Sequence, residues 1–490
     1  MEKFELFAAR DEFAVRYYNE EEHPFRTKFE RDRDRILYSK AFRRLSGKTQ
    51  VFVVGDNDHL RTRLTHTLEV SQIARTISRY FGFNEILTEA IALGHDLGHT
   101  PFGHVGERTL NYIMNGCYNI KDFNKFNNDK YKGFKHNWQS IRVVQDFEQI
   151  NKDYKGLNLT NFTLWGILNH SKKNYDGCKK RSKENKCNLL LNNIECKTNL
   201  SIGFYEENYG KFFKKEDSWT FEGLIVAIAD EIAQRHHDIE DGIEAKIIDK
   251  DEIIYKFKKC FKDCLDNKYN VKLKRYENKY KKLIKDIEKE KDKLYYLPKL
   301  SRLIVDFLVT TLIIDSEEKL DQIKKEFNLK SYKEFYTLKH QIYKTKDIYN
   351  IINYSNEFQV KEDEFSDFLK DRILKSYKTQ SMDGKADFII RQLFKAYVTN
   401  PQQLPDRTIL NLYRNLVTLE GYNDKNVKDN IENYKFGDLR NKLDEDHYIY
   451  QKEEYKMILL RTICDYISGM TDSYALQQYS MLYESKIIKD

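Results

Sequence analysis

The stretch from His66 to Glu107 gathers His66, His95, Asp96, His99, His104 and Glu107, all side chains that hold metals or move protons. Imidazole and carboxylate groups brought together from different elements make a site for a divalent cation. A His-Asp dipeptide alone is weak evidence, because a chain of this composition holds on the order of one by chance. His237-Asp238 is indeed a second such pair. What sets His95-Asp96 apart is its company: further histidines on both sides, separated by the turn-forming Gly98, Pro101 and Gly103. A single buried histidine is commonly a core residue, and a cluster of this density points to a site instead. His104 and Glu107 stand three apart, so on a helix they share a face. A carboxylate beside an imidazole orients the ring and raises its basicity, which suits proton transfer to a leaving oxygen. A surface ion pair is the plainer reading of that spacing.

Helices must supply these positions. Glycine and proline are sparse, 20 and five in 490 residues, and apolar residues recur at three-to-four spacing, which predicts an all-α protein. Residues 31–45 read as a helix with Ile36, Leu37, Ala41 and Phe42 inward. Residues 65–81 read as another, with Leu68, Ile73 and Ile77 on one face, and 85–96 as a third that ends at Gly98. Thr100 is expected to cap the next helix, with Pro101 at its first position, where a missing N–H costs nothing. Residues 138–150 and 220–234 read as two more.

Composition divides the chain into an expected core over 1–250, a Lys/Tyr-rich helical insertion over 251–385 and a C-terminal helical segment over 386–490 that packs on the core. Within the first, residues 171–217 read as a polar insertion. Charge patterning from Val271 to Leu297 suggests an exposed helical hairpin with solvated faces.

The bulk properties set limits. Hydrophobic residues make up 40% and charged residues 33%, which fits a soluble globular protein rather than a disordered one. No segment approaches the roughly 18 apolar residues of a membrane-spanning helix, so no membrane partner is expected. The opening MEKFELFAARDEF is charged throughout and lacks a signal-peptide core, so a cytoplasmic location is expected. Seven scattered cysteines do not suggest a disulfide framework. Cys178, Cys187 and Cys196 are evenly spaced, yet no C-x-x-C pair supports a zinc site. Cys260 and Cys264 fit one helical face as ordinary buried thiols. A net charge of +7 is mild at this length and permits an anionic partner without requiring nucleic acid. Gly47-Lys48-Thr49 resembles the end of a P-loop, but the first glycine of that motif would fall on Phe42.

Several segments together resemble the deoxyguanosinetriphosphate triphosphohydrolase family of HD-domain dNTPases. They are RDRDRILYSKAFRRLSGKTQVF, RTRLTHTLEV, GHDLGHTPFGHVGE, FKHNWQSIRVV, IADEIAQRHHDIEDG, LFKAYVTNPQQLP and RTICDYISGMTDSYA, running from about residue 25 to 480. The resemblance implies a helical HD-domain phosphohydrolase fold and hydrolysis of a deoxynucleoside triphosphate to deoxynucleoside and tripolyphosphate. It implies a divalent ion (Mn²⁺, Mg²⁺ or Fe²⁺) held by His66, His95, Asp96 and Asp230, with His104 and Glu107 as the catalytic dyad. By the same resemblance Arg63, His99 and His136 would line the phosphate pocket, and Gln50 and Asp238 would meet the sugar. Gln234 stands where many members carry a tyrosine that packs on the sugar, which puts deoxy-over-ribo selectivity in question. A homo-oligomer, hexamer or tetramer, is also implied.

Two other readings share these residues. The same ligand set serves HD enzymes that cleave monophosphates or cyclic nucleotides, against which the motifs around Gln50, His136 and the C-terminus argue. A nucleotide-sensing or single-stranded nucleic-acid-binding protein is the second, its Lys/Tyr-rich insertion supplying basic and stacking groups. The intact candidate ligands and dyad argue against lost catalysis.

Overall fold

The computed structural model describes residues 4–50, 61–118, 128–175, 178, 200–213, 217–266, 272–419, 427, 431, 435–445 and 452–484. Among them the regular elements are helices, and β-structure is confined to isolated bridges such as Thr49 with Thr62. The fold is therefore all-α, as the periodicity predicts. The helices are α1 (Lys28–Leu37), α2 (Lys40–Arg44), α3 (Arg63–Phe81), α4 (Glu85–Gly94), α5 (Gly103–Met114), α6 (His136–Arg142) and α7 (Asn161–Asn169). They continue as α8 (Gly203–Tyr209), α9 (Phe221–Glu244), α10 (Lys250–Cys260), α11 (Lys262–Leu265), α12 (Lys274–Lys289), α13 (Lys293–Glu326) and α14 (Tyr332–Thr345). The last six are α15 (Asn356–Leu374), α16 (Tyr377–Thr399), α17 (Asp406–Leu416), α18 (Phe436–Glu445), α19 (Glu453–Ser468) and α20 (Asp472–Tyr483). None of the described helices is long and apolar enough to cross a membrane.

Local sequence starts most of these helices. Thr62, Asn84, Thr160 and Thr220 each accept a backbone N–H at the first turn of α3, α4, α7 and α9, satisfying donors that a helix end leaves open. Thr27 and Glu30 form a reciprocal capping box on α1. Gly82, at φ 76°, closes α3 in the left-handed conformation that glycine adopts freely.

Three expectations need correction. The single helix over 31–45 is two, because Ser39 turns its hydroxyl to the Phe42 N–H and starts α2 afresh. Leu37 and Leu68 are exposed, and α3 instead buries His66, Thr67, Val70, Ala74, Ile77 and Phe81. Thr100 does not cap a helix: its hydroxyl donates to Gly103 O at 2.8 Å, and α5 begins only at Gly103. The boundaries of two others shift. α6 starts at His136 and runs into a wider π-helical turn over Val143–Phe147, and α9 continues to Glu244.

One apolar core joins α3, α4, α7 and α9 with α10 to α15. A second holds α5 with α16 to α20, and a third holds α1, α2, α6 and α8 against α7. Of the expected hairpin, α12 buries Tyr280, Ile284 and Ile287, and its second arm is the start of α13. Val271 lies outside the described residues, as do most of the polar segment over 171–217 and its Cys187 and Cys196. Cys260 and Cys264 are buried free thiols.

The entry to this scaffold is pinned by a buried ion pair. Asp32 accepts from Arg16 Nη1 at 2.7 Å, from the Thr160 N–H at 2.9 Å and from the Thr160 and Thr163 hydroxyls at 2.6 and 2.7 Å. Asp32 is fully buried and the Arg16 side chain nearly so. Asp32→Ala removes the nearer carboxylate of that buried guanidinium and leaves it, as a charge partner, only Glu20 Oε2 at 4.0 Å, a loss of about 3 kcal/mol. Urea denaturation should read it as a lower midpoint at unchanged slope, and a wild-type midpoint would refute it.

Candidate active site

Three helices deliver the donors. His66 sits in the first turn of α3, His95 at the C-terminal end of α4 and Asp230 midway along α9, with Asp96 in the turn that leaves α4. His66 Nε2 lies 2.9 Å from Asp230 Oδ1 and 3.9 Å from Asp96 Oδ2. His95 Nε2 lies 3.5 Å from Asp96 Oδ1 and 3.9 Å from Asp230 Oδ1. His95 Nδ1 donates to Ala92 O at 2.7 Å, which fixes the ring and turns Nε2 into the cluster as a lone pair. That Nε2 is buried and has no hydrogen-bond partner among the described residues. Two imidazoles and two carboxylates converging on an orphaned nitrogen are what a divalent cation needs.

Charge is arranged to keep the acids ionised. Burial disfavours the Asp96 carboxylate, but His95, the Arg63 guanidinium, His99 and His66 outweigh it and hold the group well below its ordinary range. Burial likewise opposes Asp230, and the His66 contact overrides it and holds the carboxyl below its ordinary range. Arg63 Nη1 donates to Asp96 Oδ2 at 2.7 Å, while its Nε and Nη2 are buried without an acceptor among the described residues.

A ladder of imidazoles leads from this cluster to a second acid. His99 Nε2 is 3.4 Å from Asp96 Oδ1, and its ring stacks on His136 with centroids 4.0 Å apart. Burial, with the Arg63 charge, holds His99 well below its ordinary value. His136 Nδ1 donates to Glu107 Oε2 at 2.6 Å, and His104 Nδ1 lies 3.5 Å from the same oxygen. Glu107 thus serves two histidines, of which the His104 side chain is 65% exposed and His136 is buried. Lys135 Nζ and the Tyr175 hydroxyl donate to Glu107 Oε1 at 3.1 and 2.8 Å. Burial opposes the Glu107 charge, yet His136, His104 and Lys135 keep it ionised.

Sequence reasoning did not find Lys135, Tyr175 or His170. His170 repeats the His95 arrangement at the end of α7: its Nδ1 donates to Ile167 O at 2.7 Å, and its ring meets His95 edge-on. Burial lowers it to about 3. Its Nε2 therefore faces His136 Nε2 at 3.2 Å lone pair to lone pair, and a proton or cation between them would satisfy both. The available signal was positional, a histidine three residues past a buried carbonyl at a helix end.

Asp230, Gln234 and Asp238 follow one face of α9 at four-residue steps. Gln50 Nε2 donates to Gln234 Oε1 at 3.0 Å, and Gln234 Nε2 donates to Asp238 Oδ1 at 2.8 Å. Gln50 Oε1 and Asp238 Oδ2 are buried acceptors without partners among the described residues. The other His-Asp pair also has a place. His237 Nε2 and His236 Nδ1 each lie 2.8 Å from Glu69 Oε2, and the buried His237 ring backs the His66 ring edge-on at 4.9 Å.

Sequence comparison agrees with this chemistry. Residues 63–235 match the HD domain, and residues 352–417 and 436–481 match the phosphohydrolase-associated domain. A deoxyguanosinetriphosphate triphosphohydrolase-like protein from Geobacter metallireducens is 32% identical over 98% of this chain and 94% of its own. Proteins of the same name from Leptospira interrogans and Bartonella tribocorum are 32% and 33% identical, over 95% and 96% of this chain and 92% of theirs. The chain is a metal-dependent phosphohydrolase. Asp96→Ala removes the carboxylate at the centre of the cluster, so Mn²⁺ binding followed by calorimetry should be lost together with activity. Retention of wild-type Mn²⁺ affinity would sink the assignment of the ion to this cluster. Likeness at this level along nearly the whole length leaves one conclusion: the chain belongs to the deoxyguanosinetriphosphate triphosphohydrolase-like family of HD-domain proteins.

Proposed function

We propose that the protein hydrolyses deoxynucleoside triphosphates, dGTP among them, to deoxynucleoside and tripolyphosphate. The observation that carries this reading is Arg63, a buried guanidinium with two donor nitrogens unpartnered among the described residues, paired to the same Asp96 that faces His95 Nε2. Buried donors of this kind call for an anion, and phosphate oxygens match a guanidinium. The shared name of the relatives supports the choice of substrate class.

His66, His95, Asp96 and Asp230 would hold the divalent ion, Mn²⁺, Mg²⁺ or Fe²⁺. When bound it supplies Lewis acidity at the phosphoryl group. Arg63 binds and orients the phosphates and His99 lines the same pocket, while His136, whose one N–H is given to Glu107, positions that acid behind His104, since phosphoryl transfer depends mainly on positioning and electrostatics. His104 has its Nδ1 toward Glu107, which leaves Nε2 to hold the proton that passes to the departing 5′-oxygen. Gln50 and Asp238 offer their free acceptors to sugar hydroxyls, with Gln234 bridging them. The working unit in this reading is a cytoplasmic homo-oligomer.

The deciding experiment separates the products formed from each dNTP and rNTP by ion-exchange chromatography in the presence of Mn²⁺ or Mg²⁺. Deoxynucleoside with tripolyphosphate supports the reading, whereas monophosphate with pyrophosphate, or stepwise loss of phosphate, overturns it. His104→Ala is expected to reduce kcat by about 10²-fold or more while Mn²⁺ binding is retained, and loss of the ion would mean that His104 is a ligand. Gln234→Tyr should raise the ratio of kcat/KM for dGTP over GTP, because it replaces a polar bridge with a ring. An unchanged ratio would remove Gln234 from selectivity.

A further inference from the structure

The P-loop-like Gly47-Lys48-Thr49 has no phosphate role here, yet two of its residues are buried and bonded to the far end of the chain. Lys48 Nζ donates to His99 O and, at 2.9 Å, to Ser468 O, the last residue of α19. Thr49 gives both its N–H, at 3.1 Å, and its hydroxyl to Asp472 Oδ2. The other oxygen of the same carboxylate, Oδ1, accepts the Phe102 N–H at 2.9 Å. Asp472 is nearly fully buried at the start of α20.

The Phe102 bond is the telling one. Phe102 lies at φ 61°, in the left-handed region that a non-glycine residue rarely enters. Such a residue persists where its surroundings over-determine it, and such residues concentrate at functional sites. The turn it forms ends at Gly103, also left-handed at φ 58°, where a methyl group would stand 3.1 Å from Arg63 Nη2 and 3.5 Å from Gln50 O. One residue further is His104.

We propose that Asp472, assisted by Lys48, is a positioning latch: the C-terminal phosphohydrolase-associated segment holds the 99–103 turn so that His99 and His104 face the substrate and Gly103 stays against Arg63. The latch touches none of the candidate metal ligands, which stand on α3, α4 and α9 and in the turn at Asp96. It acts on the groups that meet phosphate and the leaving oxygen, and in that respect it rests on the function proposed above.

Asp472→Ala removes all three acceptor contacts. Asp472→Asn keeps one oxygen for the Phe102 N–H and an amide for the Thr49 hydroxyl. Hydrogen exchange of peptides covering 97–110 is expected to quicken by about tenfold or more in Asp472→Ala and by less in Asp472→Asn, while peptides from α3, α4 and α9 keep wild-type protection. On whichever nucleotide the wild type cleaves, kcat in Asp472→Ala should fall by about 10–100-fold with a smaller change in KM. Mn²⁺ affinity should stay within about threefold, and Asp472→Asn should recover much of kcat. Lys48→Met, which strips the His99 and Ser468 carbonyls of their donor, is expected to loosen the same peptides and serves if Asp472→Ala does not fold. Unchanged exchange over 97–110 in these variants overturns the latch. So does a kcat loss accompanied by lost Mn²⁺ binding or by faster exchange across α3, α4 and α9. A wild type that cleaves no dNTP would overturn the proposed function instead, and the exchange measurements would still decide the latch.

Discussion

The arrangement depends on keeping one carboxylate ionised inside a helical protein. Asp96 is buried, and an isolated charge in that position carries a penalty of several kcal/mol. Its neighbours answer the penalty: Arg63 pairs directly with one oxygen, and imidazoles from three directions face the rest of the group. Each neighbour imposes a demand on the fold. Arg63 and His66 require the start of α3, His95 requires the end of α4, and Asp230 requires α9 to cross both. The close packing of α3, α4 and α9 in one apolar core is what meets these demands together.

The site then has two mechanical parts. The donor cluster stands mainly on long helices whose packing leaves little freedom. The second part, with His99 and the approach to His104, hangs from an irregular turn between α4 and α5, which has no ladder of its own and must be held by its neighbours. α6 does so at Gly98, where a methyl group would stand 2.1 Å from the Ser140 backbone nitrogen, so only glycine lets the two segments approach. Ser140 Oγ accepts the Gly98 N–H at 2.8 Å and donates to His95 O at 3.0 Å, tying the end of α4 to α6. The same α6 begins with His136, so the contact that shapes the turn also sets the second partner of Glu107.

How much of this was legible follows from the range of the interactions. Thr62, Asn84, Thr160 and Thr220 are bonded within three residues of themselves, so local pattern finds their helices. The density of histidines from His66 to His104 marks the region without any knowledge of its shape. The failures are of longer range. Ser39 reads as one polar residue in a periodic run, and the remaining first-turn N–H groups of α2, those of Lys40 and Ala41, go to Glu148 across 107 or more positions. Phe102 adopts its conformation through Asp472, 370 positions away. His170 and Tyr175 reach Glu107 and its partners only because α7 returns beside α6. Asp230, Gln234 and Asp238 were accessible through family resemblance alone, since nothing in the spacing of IADEIAQRHHD distinguishes a site face of α9 from a core face.

Under the function proposed above, Gln234 would let this face of α9 discriminate without an aromatic ring. A stacked ring would select by shape, excluding an extra hydroxyl through contact. Here the face is a row of amides and a carboxylate, with Gln234 using its carbonyl on Gln50 and an N–H on Asp238. That leaves Gln50 Oε1 and Asp238 Oδ2 as buried acceptors, each costly to leave unmatched. Burial, the leading influence on Asp238, raises its pKa and makes a hydroxyl donor on that oxygen more valuable still. A site of this kind rejects ligands that lack a hydroxyl more strongly than ligands that carry an additional one. In the function proposed above, such a face would favour an intact 3′-hydroxyl first, and discrimination at the 2′-position would fall to the space around Gln234 rather than to its hydrogen bonds.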